Sequence, residues 1–153
     1  LTRSDANTHI QTRKTSAEGS VIKFYYNATL CGNLTTDTNS TTYGTSSDYR
    51  LKENEVAISD GITRLKQLKP YRFNFKTAAD KTMDGFFAHE VSGIIPEAIF
   101  GEKDGMTTDD DGNAVIEPQQ IDQGKLVPLL TASLQEAITK IETLEAKVAV
   151  LEA

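Results

Sequence analysis

Residues 126–153, LVPLLTASLQEAITKIETLEAKVAVLEA, are the stretch whose pattern decides the fold. Leu130, Leu134, Ala137, Ile141, Leu144, Val148 and Leu151 recur there at alternating spacings of four and three. Such spacing lines apolar side chains along one stripe of a helix. The pattern predicts helix from Lys125 onward, with Leu134 and Ile141 at heptad position a and Leu130 and Ala137 at d. Lys140 and Lys147 then fall at g, and Glu145 and Glu152 at e, so that parallel chains are able to form g-to-e′ ion pairs. A stripe of this kind either folds back on its own domain or meets copies of itself. Its three heptads favour the second fate. The mixed residues at a and d do not select between two and three strands.

Working back from the helix, the chain reads as mixed α and β. Val56, Ile58, Ile62, Leu65 and Leu68 have helical spacing, which predicts an amphipathic helix from Glu53 to Leu68, stopped by Pro70. Tyr71 to Lys76 alternates like a strand, with Tyr71, Phe73 and Phe75 on one face. Gly85 to Val91 suits a buried strand running into a short helix ended by Pro96. Ile99 and Phe100 begin another extended piece, and Asp111-Gly112-Asn113 reads as a hairpin turn. Further upstream, Val21 to Tyr26 is a strand candidate rich in β-branched and aromatic residues, and Leu30 to Thr36 a weaker one.

Composition divides the chain. Of the first 46 residues, 24 are Ser, Thr, Asn, Gln or Gly, with four basic and three acidic groups. The other 107 residues carry 12 basic and 19 acidic groups, so the acidity of this 153-residue chain, net charge −6, resides in the second segment. A polar 46-residue segment with two short strands cannot offset its own ordering entropy. It must pair with the second segment or with copies of itself. The three Asn-x-Thr sequons at Asn27, Asn33 and Asn39 reflect Thr-rich composition, since no signal-peptide pattern opens the chain.

The charge balance also sorts function classes. An acidic chain is a poor partner for phosphate backbones or anionic membrane surfaces, so neither nucleic acid nor membrane is expected as a partner. No apolar run reaches the ~18 residues of a membrane span. A single cysteine, Cys31, forms no internal disulfide and provides no Cys-based zinc site. With only His9 and His89 as histidines, His-rich metal chemistry is also excluded, and no cofactor is expected. Asp109, Asp110, Asp111 and Asn113 suggest a calcium loop, but the position of the closing bidentate Glu holds Pro118, so an acidic hairpin turn is the better expectation. Any chemistry must come from Ser, Lys, Asp or Glu.

Between the segments lies Thr45-Ser46-Ser47-Asp48-Tyr49-Arg50-Leu51-Lys52-Glu53-Asn54. A Ser and a Lys five residues apart do not share a helical face. With Ser47 in the loop and Lys52 near the first helical turn, the lysine amine is able to reach the serine hydroxyl. Serine paired with lysine is a known variant of nucleophile plus base. Lysine serves as a base only where burial or a neighbouring cation such as Arg50 disfavours its charged form. The alternative on spacing alone is a capping serine and a solvated lysine.

SSDYRLKEN is followed in order by LKQLKPYRFNFK, GFFAHEV, IPEAI and KLVPLLTASLQEAITKIETLE. Residues 45 to about 145 resemble the intramolecular chaperone auto-processing domain, the peptidase S74 family. This domain is found at the C-terminus of phage tail spikes, tail fibres, neck appendages and endosialidases. The Ser-Asp-x-Arg-x-Lys motif is met by Ser47, Asp48, Arg50 and Lys52, and Gly-Phe-x-Ala-x-Glu-Val by Gly85, Phe86, Ala88, Glu90 and Val91. His89 stands where the family more often has Gln, and is expected to be satisfied locally rather than to act in chemistry.

The resemblance implies an α+β fold: a small mixed domain, residues 47–153, with a C-terminal helix forming a parallel trimeric coiled coil over about 126–153. Residues 1–46 would be the end of a β-rich fibre stalk. It implies a homotrimer whose core is Leu130, Leu134, Ile141, Leu144, Val148 and Leu151, and which registers three copies of the upstream fibre. It further implies self-cleavage at Ser46–Ser47, with Ser47 as nucleophile, Lys52 as base, and Asp48, Arg50 and Glu90 in supporting roles. Such a protein is a phage virion component assembled in the bacterial host cytoplasm, its chaperone part released after the cut. Assembly is expected to bring Ser47 and Lys52 within reach, which a flexible monomer would not. The competing expectation is an uncleaved trimeric cap or receptor-binding tip. Related domains in membrane-bound eukaryotic transcription factors are a further possibility, for which the sequence shows neither a membrane span nor a basic DNA-binding segment.

Overall fold

The computed structural model describes residues 19–153, and these divide into two compact units meeting between Glu55 and Val56. His9 and the first part of the expected stalk segment lie outside the described residues. The expected segment boundary at Ser46–Ser47 falls within the first unit.

In the first unit, β1 (Gly19–Tyr26), β2 (Thr29–Thr36) and β3 (Thr41–Thr45) form an antiparallel sheet in that order. Both expected strands are present, and β3 is a strand the apolar pattern did not announce, because TTYGT has one large residue to alternate with. Asn27 turns the first hairpin with φ +52, a left-handed conformation that Asn tolerates. Asp37 organises the second turn, accepting from the amides of Asn39 and Ser40 at 2.8 and 2.7 Å. Ile22, Leu34 and Tyr43 pair across the three strands on one face. No described residue of this unit is buried, and Phe24, Tyr26 and Tyr43 are 55, 75 and 81% exposed.

The second unit has a small core of Val91, Ile95, Ala98, Leu126 and Leu129, with Leu68, Phe86, Ile94, Ile99 and Ile121 packed around it. Around it run α1 (Gly61–Leu65), the hairpin β4 (Tyr71–Asn74) with β5 (Thr82–Gly85), and α2 (Ala88–Val91). β6 (Ile99–Phe100) pairs with β9 (Gln120–Ile121), and β7 (Met106–Thr108) with β8 (Ala114–Ile116). α3 (Val127–Leu151) closes the chain, entered through a 3₁₀ turn at Gln123–Leu126 whose start is capped by the Asp122 carboxylate.

Two expectations need correction. The helix expected from Glu53 to Leu68 is confined to Gly61–Leu65, with one further turn. Asn54 adopts φ +55, which helix does not accommodate, and Val56 and Ile58 are exposed rather than set on an apolar face. Likewise the strand expected from Gly85 ends there instead of beginning. Phe86 and Phe87 link it to α2, and Pro96 opens a separate 3₁₀ turn at Pro96–Ala98 instead of ending that helix. Asp111-Gly112-Asn113 does form the β7–β8 turn, with Gly112 at φ +83.

The terminal helix uses two faces. Leu129, Ala132 and Ser133 are buried against its own unit, where α1 crosses it. Its heptad stripe is left open: Leu130, Leu134, Ile141, Leu144 and Val148 are all between 46 and 62% exposed. One face of the helix is thus folded onto its own unit, while the heptad stripe is not.

The docking of α1 onto α3 is anchored at one point. Glu136 of α3 accepts from the backbone N–H of Gly61 at 2.5 Å and of Ile62 at 3.2 Å, capping a short helix to which Asp60 contributes no side-chain bond. Gly61 lies so close to α3 that a Cβ there would stand 2.7 Å from the Ser133 amide nitrogen and 2.9 Å from the Ala132 carbonyl carbon.

Candidate functional site

The junction is positioned by the end of the sheet. A bulge in the β1–β2 pairing leaves Cys31 out of register, and its carbonyl accepts the Ser46 N–H at 2.9 Å. This bond continues the regular β2–β3 register by one residue and holds Ser46 against the sheet. The chain then leaves the sheet at Ser47. A single 3₁₀ turn, Tyr49–Leu51, follows, with Asp48 as its cap.

That turn brings the ends of the motif together. Lys52 Nζ donates to Ser47 Oγ at 2.7 Å, and both side chains are exposed. The two groups are thus within hydrogen-bond reach in a single chain, contrary to the expectation that assembly is needed to bring them together. The cause is local: the Lys52 N–H bonds the Tyr49 carbonyl, closing the turn and folding the lysine back over the serine.

Asp48 and Arg50 form the other half of the turn. Asp48 Oδ1 accepts from the Arg50 backbone N–H at 2.9 Å and from Nε at 3.0 Å, while Oδ2 accepts from Nη2 at 2.6 Å. The paired guanidinium side chain, followed by the backbone bond, holds the Asp48 carboxyl below its usual range, and the carboxylate raises Arg50 in return. Neither residue bonds the serine or lysine. Their geometry stiffens the turn that carries both.

Glu90 lies on α2 in the second unit. Its Oε1 accepts from Lys69 Nζ at 3.1 Å and from the Tyr71 hydroxyl at 3.4 Å, and the lysine bond is the main reason its carboxyl sits below the ordinary range. Tyr71 in turn packs its ring on Phe87, centroids 5.0 Å apart. His89 is exposed, stacked on Phe87 at 6.0 Å. The Asp109 carboxylate accepts from the Asp111 and Asn113 amides and from the Asn113 side chain, so its lone pairs serve the β7–β8 turn.

Two elements of this arrangement had no local sequence signal. One is the Cys31 carbonyl beneath Ser46, which depends on the pairing of β2 with an unannounced strand. The other is the Glu136 anchor, whose partners are 75 and 74 residues away in the chain. No helix among the described residues is long and apolar enough to cross a membrane.

No curated protein matches the chain. A family model does match residues 47–100, about a third of the chain, and the match opens on the serine that Lys52 touches. That model is of the peptidase S74 family, described as chaperone of endosialidase, the same family that the motifs of this segment resemble.

Proposed function

We propose that the chain is a self-cleaving intramolecular chaperone. Three copies associate through α3, hold the upstream segments in register, and then cut themselves between Ser46 and Ser47. The observation that carries this reading is the 2.7 Å contact between Ser47 Oγ and Lys52 Nζ, at the residue where the family match begins. The family's description as a chaperone supports the first half of the role, and the serine–lysine contact supports the second.

The chemistry balances with the residues of the turn and one water. Ser47 Oγ attacks the Ser46 carbonyl carbon, and its proton passes to the neutral Lys52 amine. The Ser46–Ser47 C–N bond breaks as that proton moves on to the departing Ser47 amine, leaving Ser46 as an ester on Ser47 Oγ. Water then hydrolyses the ester, giving a Ser46 carboxylate and restoring the Ser47 hydroxyl. Because the carbonyl is tethered beside its nucleophile, effective molarity supplies most of the advantage, and each chain reacts once. Asp48 and Arg50 keep the turn in shape and take no part in proton transfer.

Geometry is already present in one chain, so assembly has another task, to exclude water. Both groups of the pair are exposed, and an amine acts as a base only in its neutral form. Removing solvent disfavours an ammonium ion and favours the neutral amine. Neighbouring copies provide that cover once the open stripe of α3 is filled. The first unit supports the same view, since a three-stranded sheet without a buried residue lacks the apolar cover that independent stability needs. On this reading it is the end of a phage fibre stalk, completed by packing between chains.

Denaturing electrophoresis with intact mass tests the proposal on wild type beside Ser47→Ala and Lys52→Ala. Fragments of 46 and 107 residues in wild type alone are the expected result. An intact wild-type chain that is trimeric by light scattering would replace it with the second reading, a permanent trimeric cap, which the exposure of the pair favours.

A further inference from the structure

Beside α3, an open apolar groove of about 420 Å³ is lined by Leu65, Leu68, Pro70, Phe86, Leu126 and Leu130. Leu130 belongs at once to the groove and to the heptad stripe, where it is 46% exposed. Extending the heptads upward places Val127 at position a, Thr131 and Ile138 at e, and Leu126 and Ser133 at g. The groove therefore lies on the d–g flank of the helix. In parallel coiled coils that flank faces the neighbour's e position.

The two flanks change character at the same level. In the upper heptads the g residues Leu126 and Ser133 are buried in their own unit, and the e residues Thr131 and Ile138 are uncharged. In the lower heptads g is Lys140 and Lys147 and e is Glu145 and Glu152. Val127 and Ile138 are 56 and 46% exposed. An uncharged upper half beside a groove and a charged lower half match only when two copies lie level.

We propose that the groove receives the first turns of α3 from a second copy of the chain, with Val127 and Thr131 entering it, and that this docking sets the axial register of the assembled helices. The inference rests on the self-association proposed above. Heptads repeat, so by themselves they tolerate a slip of seven residues, whereas the groove occurs once per chain. A slip one way sets Glu145 of the neighbour against the Ser133 flank. A slip the other way sets its Ile138 against Lys140. A register held in this way is what a chaperone aligning three upstream segments requires.

Disulfide trapping tests the register directly. Full-length chains carrying Cys31→Ser and Ser47→Ala, with either Ile141→Cys or Val148→Cys, are unfolded together, refolded and oxidised. Both sites are on the open stripe. Residues seven apart on a helix are offset by ~10.5 Å, beyond the ~7 Å between Cα atoms that a disulfide spans. Level helices therefore give only 141–141 and 148–148 disulfides, and slipped helices give 141–148. The expected result is like pairs alone in this background and a several-fold rise in 141–148 pairs when Val127→Asp or Thr131→Asp is added. Val127→Thr, which keeps the volume, decides the matter if the aspartates block assembly. Mixed pairs already abundant in the background, or absent from all groove variants that still assemble, would overturn the inference. So would an apolar dye that binds the assembled protein as strongly as it binds a chain made monomeric by Leu144→Glu, since the groove would then be empty. A background that is monomeric by light scattering and forms no disulfide would instead defeat the self-association reading itself.

Discussion

Gly61→Ala sets two forces of opposite sign against each other. By intrinsic propensity, alanine in place of glycine within a helix gains ~0.5–1 kcal/mol. In this fold the new methyl would sit 2.7 Å from the Ser133 nitrogen, 2.9 Å from the Ala132 carbonyl carbon and 2.9 Å from Glu136 Oε1. Two of these neighbours are backbone, so the helices must separate, and overpacking of this kind costs ~1–3 kcal/mol. Separation also stretches the bonds from Gly61 and Ile62 to Glu136, and losing a cap adds ~0.5–2 kcal/mol. The net expectation is a loss of about 0.5–4.5 kcal/mol. Urea unfolding followed by far-ultraviolet circular dichroism measures it, at one fixed protein concentration because association would shift the midpoint. Glu136→Ala alone should cost ~0.5–2 kcal/mol, and the double variant less than the sum, since both changes damage one contact. A Gly61→Ala chain as stable as wild type, or more so, would refute the close approach of α1 to α3.

Ile95→Ala, at a side chain only 1% exposed, should lose ~2–5 kcal/mol by the same assay; a loss under ~1 kcal/mol would mean the core had collapsed to fill the cavity. The Lys69–Glu90 contact gives a signed pH dependence. Glu90 is held below its ordinary range, so its stabilisation is present above the ~4.3 of a free glutamate and fades as pH falls through its folded value. Lys69 is raised, so its share is present below the ~10.4 of a free lysine and fades as pH rises further. Glu90→Gln should flatten the acid limb of the stability–pH curve, and an unchanged limb would assign that limb to other carboxylates. Arg50→Lys replaces a forked donor by a point charge, and is expected to slow the proposed cleavage by up to ~100-fold through misplacement of the turn. Equal cleavage rates for the two chains would remove Asp48–Arg50 from the mechanism.

What could be read without a structure follows the range of the interactions involved. β1 and β2 carry β-branched and aromatic runs, and α3 carries a repeat of apolar residues. Both are periodicities within a few residues, and both appear where expected. The Ser47–Lys52 contact is of the same kind, because a single turn capped by Asp48 spans it.

The failures are nonlocal. Val56 and Ile58 have helical spacing with Ile62 and Leu65, yet the helix begins at Gly61, because Asn54 has left the helical region and Glu136 caps the chain there from another helix. β3 needed the edge of β2 as a template, since its own residues alternate too weakly to specify a strand. The position of Ser46 needed the same edge, since its N–H bonds the Cys31 carbonyl one step beyond the Gly32–Thr45 pair.

Sequence alone determined the elements whose hydrogen bonds and apolar stripes close within a turn or a strand, together with the motif that proposes the chemistry. Tertiary structure decided where α1 starts, which face of α3 its own unit consumes, and which face it leaves open. Those depend on carboxylates and backbones meeting across as many as 75 residues, and no local spacing records such a meeting.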